Sequence, residues 1–229
     1  MKKIQDIKVA VDAVVFGYEK DRLSILLIKR GIDPFKNKWA LPGGLVLDEE
    51  SLEDAVMREL QEETGVEINY LEQLFTYGKP GRDPRNRVIS VAHVGLVTPS
   101  QFKLEAATDA YEAEWFDVKK LPDLAFDHKQ IVDEGLKRLR AKIKYQPIGF
   151  ELLNTFFPFS DLEHLYQTIL DKQIDRRNFR KKILSYGILK ETNKMHQEGS
   201  GRPAKLFTFN HKKYKELEED GFHFEIKLA

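Results

Sequence analysis

At 229 residues, 41% hydrophobic, 32% charged and without a cysteine, the chain can bury one large or two modest cores and excludes disulfides and thiolate metal sites. Its 37 Lys/Arg and 37 Asp/Glu cancel, but residues 172–215 hold 13 basic and three acidic residues against 24 and 34 elsewhere, which points to a polyanion-binding block joined to an acidic remainder. Asp6 and Asp12 interrupt any signal-like apolar run, and no stretch approaches the ~18 apolar residues of a membrane helix, so a cytoplasmic protein without membrane contact is expected.

Val9–Tyr18 and Leu23–Lys29, rich in Val, Ile and Leu, read as two strands of a hairpin. Asp33-Pro-Phe leads into Trp39-Ala-Leu-Pro-Gly-Gly44, a loop feeding a helix. That helix opens at Ser51, a cap with Asp54 as its capping-box partner, and stops at Gly65 in the left-handed conformation. Ile68–Tyr77 and Val88–Val97 are predicted strands around a Gly/Pro/Arg/Asp loop. Ala113–Val118 is a short strand closing the sheet, and His128–Ile143 a helix with Ile131, Val132, Leu136 and Leu139 apolar. A mixed sheet with helices against it makes an α/β sandwich.

The texture changes around Tyr145–Gly149, which predicts domains at 1–145 and 146–229. Ser160-Asp-Leu-Glu163 reads as a capping box opening a helix to Asp171, and Asp175 caps a second helix ending before Gly187. Ile188–Thr192 and Lys205–Asn210 read as strands with a polar, glycine-bearing loop between them. Helix, turn, helix and strand pair is the order of a winged helix-turn-helix.

The helix from Ser51 carries acids where its inner stripe calls for apolar residues. A period of 3.6 turns Leu52, Ala55 and Val56 toward the body of the protein. The next positions on that stripe are Glu59 and Glu63, with Glu62 beside them. Like charges three or four apart repel by roughly a few tenths of a kcal/mol, so three converging carboxylates call for a cation. Hard oxygen ligands suit Mg²⁺ or Mn²⁺. The stretch Gly44–Val66 follows the pattern G-x5-E-x7-R-E-U-x-E-E-x-G-U, where U is a bulky aliphatic. Gly44, Glu50, Arg58, Glu59, Glu62, Glu63 and Gly65 occupy its fixed positions. At ~6% usage per residue type, that set arises by chance at about 10⁻⁹ to 10⁻⁸ per start. The pattern is the Nudix box.

On the helix from Asp175 to Tyr186, Phe179, Ile183 and Tyr186 share an inward face. Arg177, Arg180 and Lys181 fall on the other side, as a major groove accepts. Arg176 and Asn178 are further candidates for DNA contact. The loop Gly199–Lys205 is the expected wing, with Arg202 reaching a phosphate or the minor groove and Lys205 beside it.

The whole chain resembles the Nudix-related transcriptional regulators (NrtR-like), which join an N-terminal Nudix domain to a C-terminal winged helix. The resemblance rests on the box, on Trp39-Ala-Leu-Pro-Gly-Gly44, Leu124-Ala-Phe-Asp-His128, Asp175-Arg-Arg-Asn-Phe-Arg180 and Gly201-Arg-Pro-Ala204. It implies a Nudix α/β/α sandwich with a mixed sheet, followed by a winged helix-turn-helix that binds double-stranded operator DNA as a homodimer. Members similar to this one repress genes of NAD synthesis and respond to ADP-ribose; others sense pentoses or their phosphates. The resemblance also implies that Glu59, Glu62 and Glu63 hold Mg²⁺ and that Arg58 positions a glutamate. The metal would neutralise diphosphate oxygens and activate a water.

Several residues outside the box are candidates for the site. Gly43, Gly44, Trp39, Phe35, Arg82 and Arg87 are candidate nucleotide contacts, with Tyr77 a further stacking candidate and Arg85 a further phosphate or ribose contact. A general base from Glu105, Asp109, Glu112 or Glu114 is left open, and His128 reads as a packing or capping residue. Two functions compete. One is a repressor whose Nudix domain senses ADP-ribose, with its hydrolysis and a pentose as the effector instead both left open. The other is a metabolic Mg²⁺-dependent pyrophosphohydrolase with a C-terminal dimerisation module. Specific, salt-dependent binding to duplex DNA separates them.

Overall fold

The computed structural model describes residues 6–19, 21–68, 70–104, 110–196, 203–221 and 224. It divides into two compact units, Met1–Arg138 and Leu139–Ala229.

The first unit contains β1 (Lys8–Glu19), β2 (Arg22–Arg30), β3 (Trp39–Ala40), α1 (Leu52–Thr64), β4 (Leu71–Tyr77), β5 (Val88–Val97), a 3-10 turn at Pro99–Gln101, β6 (Ala110–Asp117) and the start of α2 (His128–Tyr145). The strands form a mixed sheet in the order β3-β2-β1-β5-β4, with β6 paired to β2. β1 and β5 run parallel, and the other pairs are antiparallel. Every residue from Val11 to Tyr18 is buried, because a central strand covered on both faces needs apolar residues on both.

Alternation along β1 distributes the helices. Val11, Ala13 and Val15 pack with Ala55, Val56 and Leu60 of α1. Val14 points the other way, to α2, where a Cβ on Gly135 would lie 2.9 Å from Val14 Cγ1. One helix on each face makes the α/β/α sandwich. α1 is capped as its sequence predicts: Ser51 Oγ accepts from Asp54 N at 3.1 Å, and Gly65 closes the helix with φ +71°. β4 starts at Leu71 rather than Ile68 because Ile68 packs into the core without joining the ladder.

The division between units falls within α2, upstream of the Tyr145–Gly149 segment. The later turns of α2 belong to the second unit. There Arg140 Nε donates to Ile169 O at 2.8 Å, and Ile143 is fully buried. The second unit continues with a 3-10 turn at Phe150–Leu152, then β7 (Phe157–Pro158), α3 (Phe159–Leu170), α4 (Arg176–Ser185), β8 (Leu189–His196), β9 (Ala204–Phe209) and α5 (His211–Glu219). An antiparallel sheet in the order β7-β9-β8 backs an aromatic core. Phe150 stacks on Phe209 at 3.8 Å, Tyr166 meets Phe179 at 4.8 Å, and Phe159 faces Phe207 at 5.8 Å.

β8 continues through His196 where a loop from Asn193 was expected, because Met195 and His196 still pair with Lys205 and Ala204 of β9, and three further features of the second unit differ from the sequence reading. Ser160 does not cap α3: the helix starts at Phe159 from Pro158, two residues ahead of the expected cap and with no side-chain cap, and Glu163 is buried on its inner stripe. β7 spans two residues, too few to show a period. α5 is a polar helix capped by Asn210, whose side chain accepts from Lys213 N, and its charged sequence carries no apolar stripe broad enough to read.

Candidate functional site

The Nudix cavity is built on a backbone segment laid along β1. Ala13 N donates to Pro42 O at 2.8 Å, Val11 N to Gly44 O at 2.9 Å, and Val46 N to Val9 O at 3.0 Å. That close approach requires a glycine at 43, and Glu59 of α1 requires one at 44. Gly43 has φ +150°, and a Cβ there would lie 2.1 Å from Val11 O. A Cβ on Gly44 would lie 2.1 Å from Glu59 Oε1. Gly43 N in turn donates to Glu63 Oε2 at 2.8 Å, so α1 aims two carboxylates back at the glycine pair.

Arg58 organises the remaining acids. Its Nε and Nη2 grip Glu50, its Nη1 reaches Glu59 Oε1 at 2.8 Å and Glu62 Oε2 at 3.3 Å, and Nη2 also donates to Leu45 O at 3.1 Å. The bond to Glu50 is the main cause that pushes the Arg58 pKa up, so this guanidinium stays charged. The same bond holds the Glu50 carboxyl below its ordinary value. Glu59 moves the other way: burial raises its pKa, against the pull of Arg58. Glu62 is exposed at the cavity mouth.

The cavity, about 570 Å³, is lined by Gly43, Gly44, Arg58, Glu59, Glu62 and Glu63 together with Lys8, Arg30, Asp83 and Arg85, among others. Glu50 stands behind it, holding Arg58. The acids offer only hard oxygen donors, as Mg²⁺ or Mn²⁺ prefers. Among the described residues, however, no three such ligands gather at a common point. Arg58 draws Glu59 and Glu62, and Gly43 N draws Glu63, so a cation takes these ligands in competition with Arg58.

Other expected contacts lie elsewhere. Arg82 is buried and committed: it meets Asp127 at 2.9 and 2.7 Å and Asp12 at 3.2 Å, so it locks the core. Arg87 is half-buried at the foot of β5, where its carbonyl accepts from Lys8 N, and does not line the cavity. Trp39 packs edge-on against Phe116 at 4.6 Å, and Phe35 against Phe126 at 4.8 Å. Tyr77 is buried against Phe75, and burial pushes its hydroxyl up to about 12. Glu105 and Asp109 lie outside the described residues. Glu112 is exposed and pairs with Lys29 at 3.1 Å, Glu114 is exposed on β6, and neither lines the cavity. His128 is a packing residue whose Nδ1 accepts from Leu41 N at 2.9 Å. Sequence reasoning passed over Arg30 and Asp83; the only signal for Arg30 is a basic pair closing the apolar run of β2.

In the second unit Asp175 caps α4 by accepting from Asn178 N at 3.1 Å. Phe179 and Ile183 are buried beneath it, while Arg176, Arg177, Asn178, Arg180 and Lys181 are exposed. Tyr186, expected inward, is half-buried against Phe224 at 5.8 Å. Arg180 lies over the Phe159 ring at 4.4 Å, and the Asn178 amide is turned onto Asp175. Arg176 places Nε and Nη2 on Glu163 Oε2 at 2.9 and 2.7 Å. Lys205 pairs with Glu191 at 2.8 Å, and Arg202 lies outside the described residues. A groove of about 630 Å³ runs past Arg176, Arg177, Arg180, Glu163, Phe159 and Lys205. No described helix is long and apolar enough to cross a membrane.

Known proteins share both parts. The NUDIX domain family matches residues 6–135, and the NrtR DNA-binding winged helix domain family matches residues 149–209. The "ADPR responsive transcriptional repressor NtrR" of Acinetobacter baylyi is 32% identical over 203 residues, which are 87% of this chain and 80% of that protein. An ADP-ribose pyrophosphatase of Methanocaldococcus jannaschii is 46% identical over 129 residues, 56% of this chain and 73% of that protein. The crystal structure of Shewanella oneidensis NrtR complexed with a 27mer DNA superposes with a TM-score of 0.82 at 31% identity, covering 96% of this chain and 99% of that one. The NUDIX domain of the same protein complexed with ADP ribose gives a TM-score of 0.53 at 35% identity over 60% of this chain and 90% of that domain. The chain therefore belongs to the NUDIX family, among its members that carry an NrtR DNA-binding winged helix domain.

Proposed function

We propose that this protein is a transcriptional repressor whose winged helix holds operator DNA and whose Nudix cavity takes ADP-ribose, occupancy of the cavity setting affinity for the operator. The observation that carries this reading is one chain holding both a cavity lined by a glycine pair, box acids and arginines and a helix that projects Arg176, Arg177, Arg180 and Lys181 from a buried base. The likeness to the Acinetobacter repressor over both parts supports it. The ligand's diphosphate would meet Arg30 and Arg85 on one wall, and the glycine pair lets a phosphate come close to the backbone. The protein acts as a homodimer, matching a palindromic site, which light scattering on the free protein and on its DNA complex will test. Coupling between the two sites must be reciprocal: whatever ADP-ribose does to DNA affinity, DNA does to ADP-ribose affinity.

A second activity, hydrolysis of ADP-ribose, is favoured by the box, in which every fixed position is kept. Mg²⁺ or Mn²⁺ would supply charge neutralisation and an activated water. Glu59, Glu62 and Glu63 would hold it, Arg58 and Glu50 would keep Glu59 oriented, and Gly44 would leave room for that carboxylate. Duplex binding across a salt series tests the main reading. Affinity should fall steeply with salt, and Arg177→Ala and Lys181→Ala should each reduce the slope by about one charge's worth. Binding that is absent, or flat in salt, would leave only the hydrolase.

A further inference from the structure

The inner stripe of α3 contains one charge. Phe159, Leu162, Tyr166 and Ile169 are buried, and Glu163 is buried with them, 4% exposed. A carboxylate in such a place requires a partner, because an unpaired buried charge is strongly destabilising. Its partner is Arg176, which sends both Nε and Nη2 to the same oxygen, Oε2, at 2.9 and 2.7 Å. The arginine itself is not buried: 65% of its side chain remains exposed. So the pair has a dry end, on α3, and a wet end, on α4.

The geometry of the guanidinium decides what the wet end can do. Its five donors are fixed in one plane. Glu163 takes the edge formed by Nε and one Nη2 hydrogen. Among the described residues nothing else bonds Arg176, which leaves its second edge, one hydrogen each from Nη1 and Nη2, open at the groove that Arg176 lines beside α4. That edge carries two parallel donors, the arrangement that meets the O6 and N7 acceptors of guanine in the major groove. Arg176 is also the first residue of α4, and the N-terminal residues of a recognition helix are the ones that reach base edges. A side chain already held in place loses less freedom on binding.

The neighbouring cations are placed differently. Arg177 is exposed one residue along the helix, with no carboxylate among the described residues to fix its plane. Arg180 lies flat over Phe159, and Asn178 is turned to the helix cap. We propose that Glu163 is a positioning residue that aims the outer edge of Arg176 at a guanine, so that Arg176 reads sequence while Arg177 holds phosphate. This inference rests on the repressor reading above.

The test is selection by the full-length protein from a pool of duplexes with a randomised core, repeated with Glu163→Gln, Arg176→Ala and Arg177→Ala. The wild type should enrich a motif with a guanine in each half-site. Glu163→Gln and Arg176→Ala should lose that one column, with discrimination at that base pair falling by roughly tenfold or more. Arg177→Ala should keep the motif and lose only about one charge's worth of the salt slope instead. Because either single change to a buried pair can unsettle the fold, the double variant Glu163→Gln, Arg176→Gln removes both charges together. It should fold, bind random duplex and show no guanine column. A wild-type motif that survives in Arg176→Ala and in the double variant would overturn the proposal while leaving the repressor reading intact. Failure of the wild type to enrich any motif would remove the repressor reading, and this inference with it.

Discussion

Gly44 and Glu59 occupy the same space from two directions. A side chain on Gly44 would begin 2.1 Å from Glu59 Oε1, and Arg58 Nη1 holds that oxygen in place at 2.8 Å. The glycine is therefore a condition for where the carboxylate stands, and the two positions of the box are one structural unit.

Gly44→Ala should displace Glu59 and spare the fold, because the colliding atom is the end of a side chain. Gly43→Ala should behave differently. Its φ is +150° and its Cβ would strike a backbone oxygen, Val11 O, which cannot step aside; a loss of roughly 1–3 kcal/mol or more is expected. Urea unfolding of the two variants, with ADP-ribose titrated calorimetrically into each, checks this. Gly44→Ala should unfold near the wild-type midpoint with weakened binding, and Gly43→Ala should unfold early.

Glu59 gives a pH signature with a definite sign. Burial raises its carboxyl above the ordinary 4.5. A raised carboxyl stabilises the fold while protonated, so its contribution is full below the unfolded value and is lost as pH rises through the folded one. Glu59→Gln should therefore flatten a decline in stability that begins near pH 4.5 and continues above it. Mn²⁺ binding, followed by paramagnetic relaxation of water, should strengthen over the same interval in the wild type, because the proton and the cation compete for one carboxylate.

His128 should act at higher pH and in the opposite direction. It is buried, accepts a hydrogen bond from Leu41 N on Nδ1 and stands 3.4 Å from Asp12 Oδ1 through Nε2. Burial lowers its pKa from 6.5, with Asp12 opposing. Its contribution is present above 6.5 and disappears as pH falls through the depressed folded value. Unfolding free energy measured from neutral pH downward should begin to fall near pH 6.5, and His128→Gln should lessen the slope below it. An unchanged slope in the variant would assign the acid loss to the carboxylates alone.

Much of this architecture was legible in the sequence because its signals are local. The α1 caps are set by Ser51, Asp54 and Gly65 within one helix, and the central strands announce themselves by unbroken apolar runs. The box placed Glu59, Glu62, Glu63 and Arg58 on one cavity because spacing along a helix fixes a face. What stayed hidden depends on contacts distant in sequence. Arg82 looked like a loop cation free to meet phosphate, yet its partner Asp127 lies 45 residues away. Arg30, at the end of β2, comes to line the same cavity as Gly43 and Gly44 only through the fold. Glu163 had the same signature as Glu59, an acid on an apolar stripe, but its spacing from Ser160 imitated a capping box. A short-range rule won where the longer period held the information.

The most direct measurement is operator binding titrated with ADP-ribose, in the presence and absence of Mg²⁺, on a duplex recovered by selection. ADP-ribose should change affinity for that duplex by about 5–150-fold, the range of ordinary allosteric coupling. Gly44→Ala should blunt the response while still binding DNA. An operator affinity indifferent to ADP-ribose under both conditions, in a protein that binds the nucleotide, would contradict the coupling of the two sites.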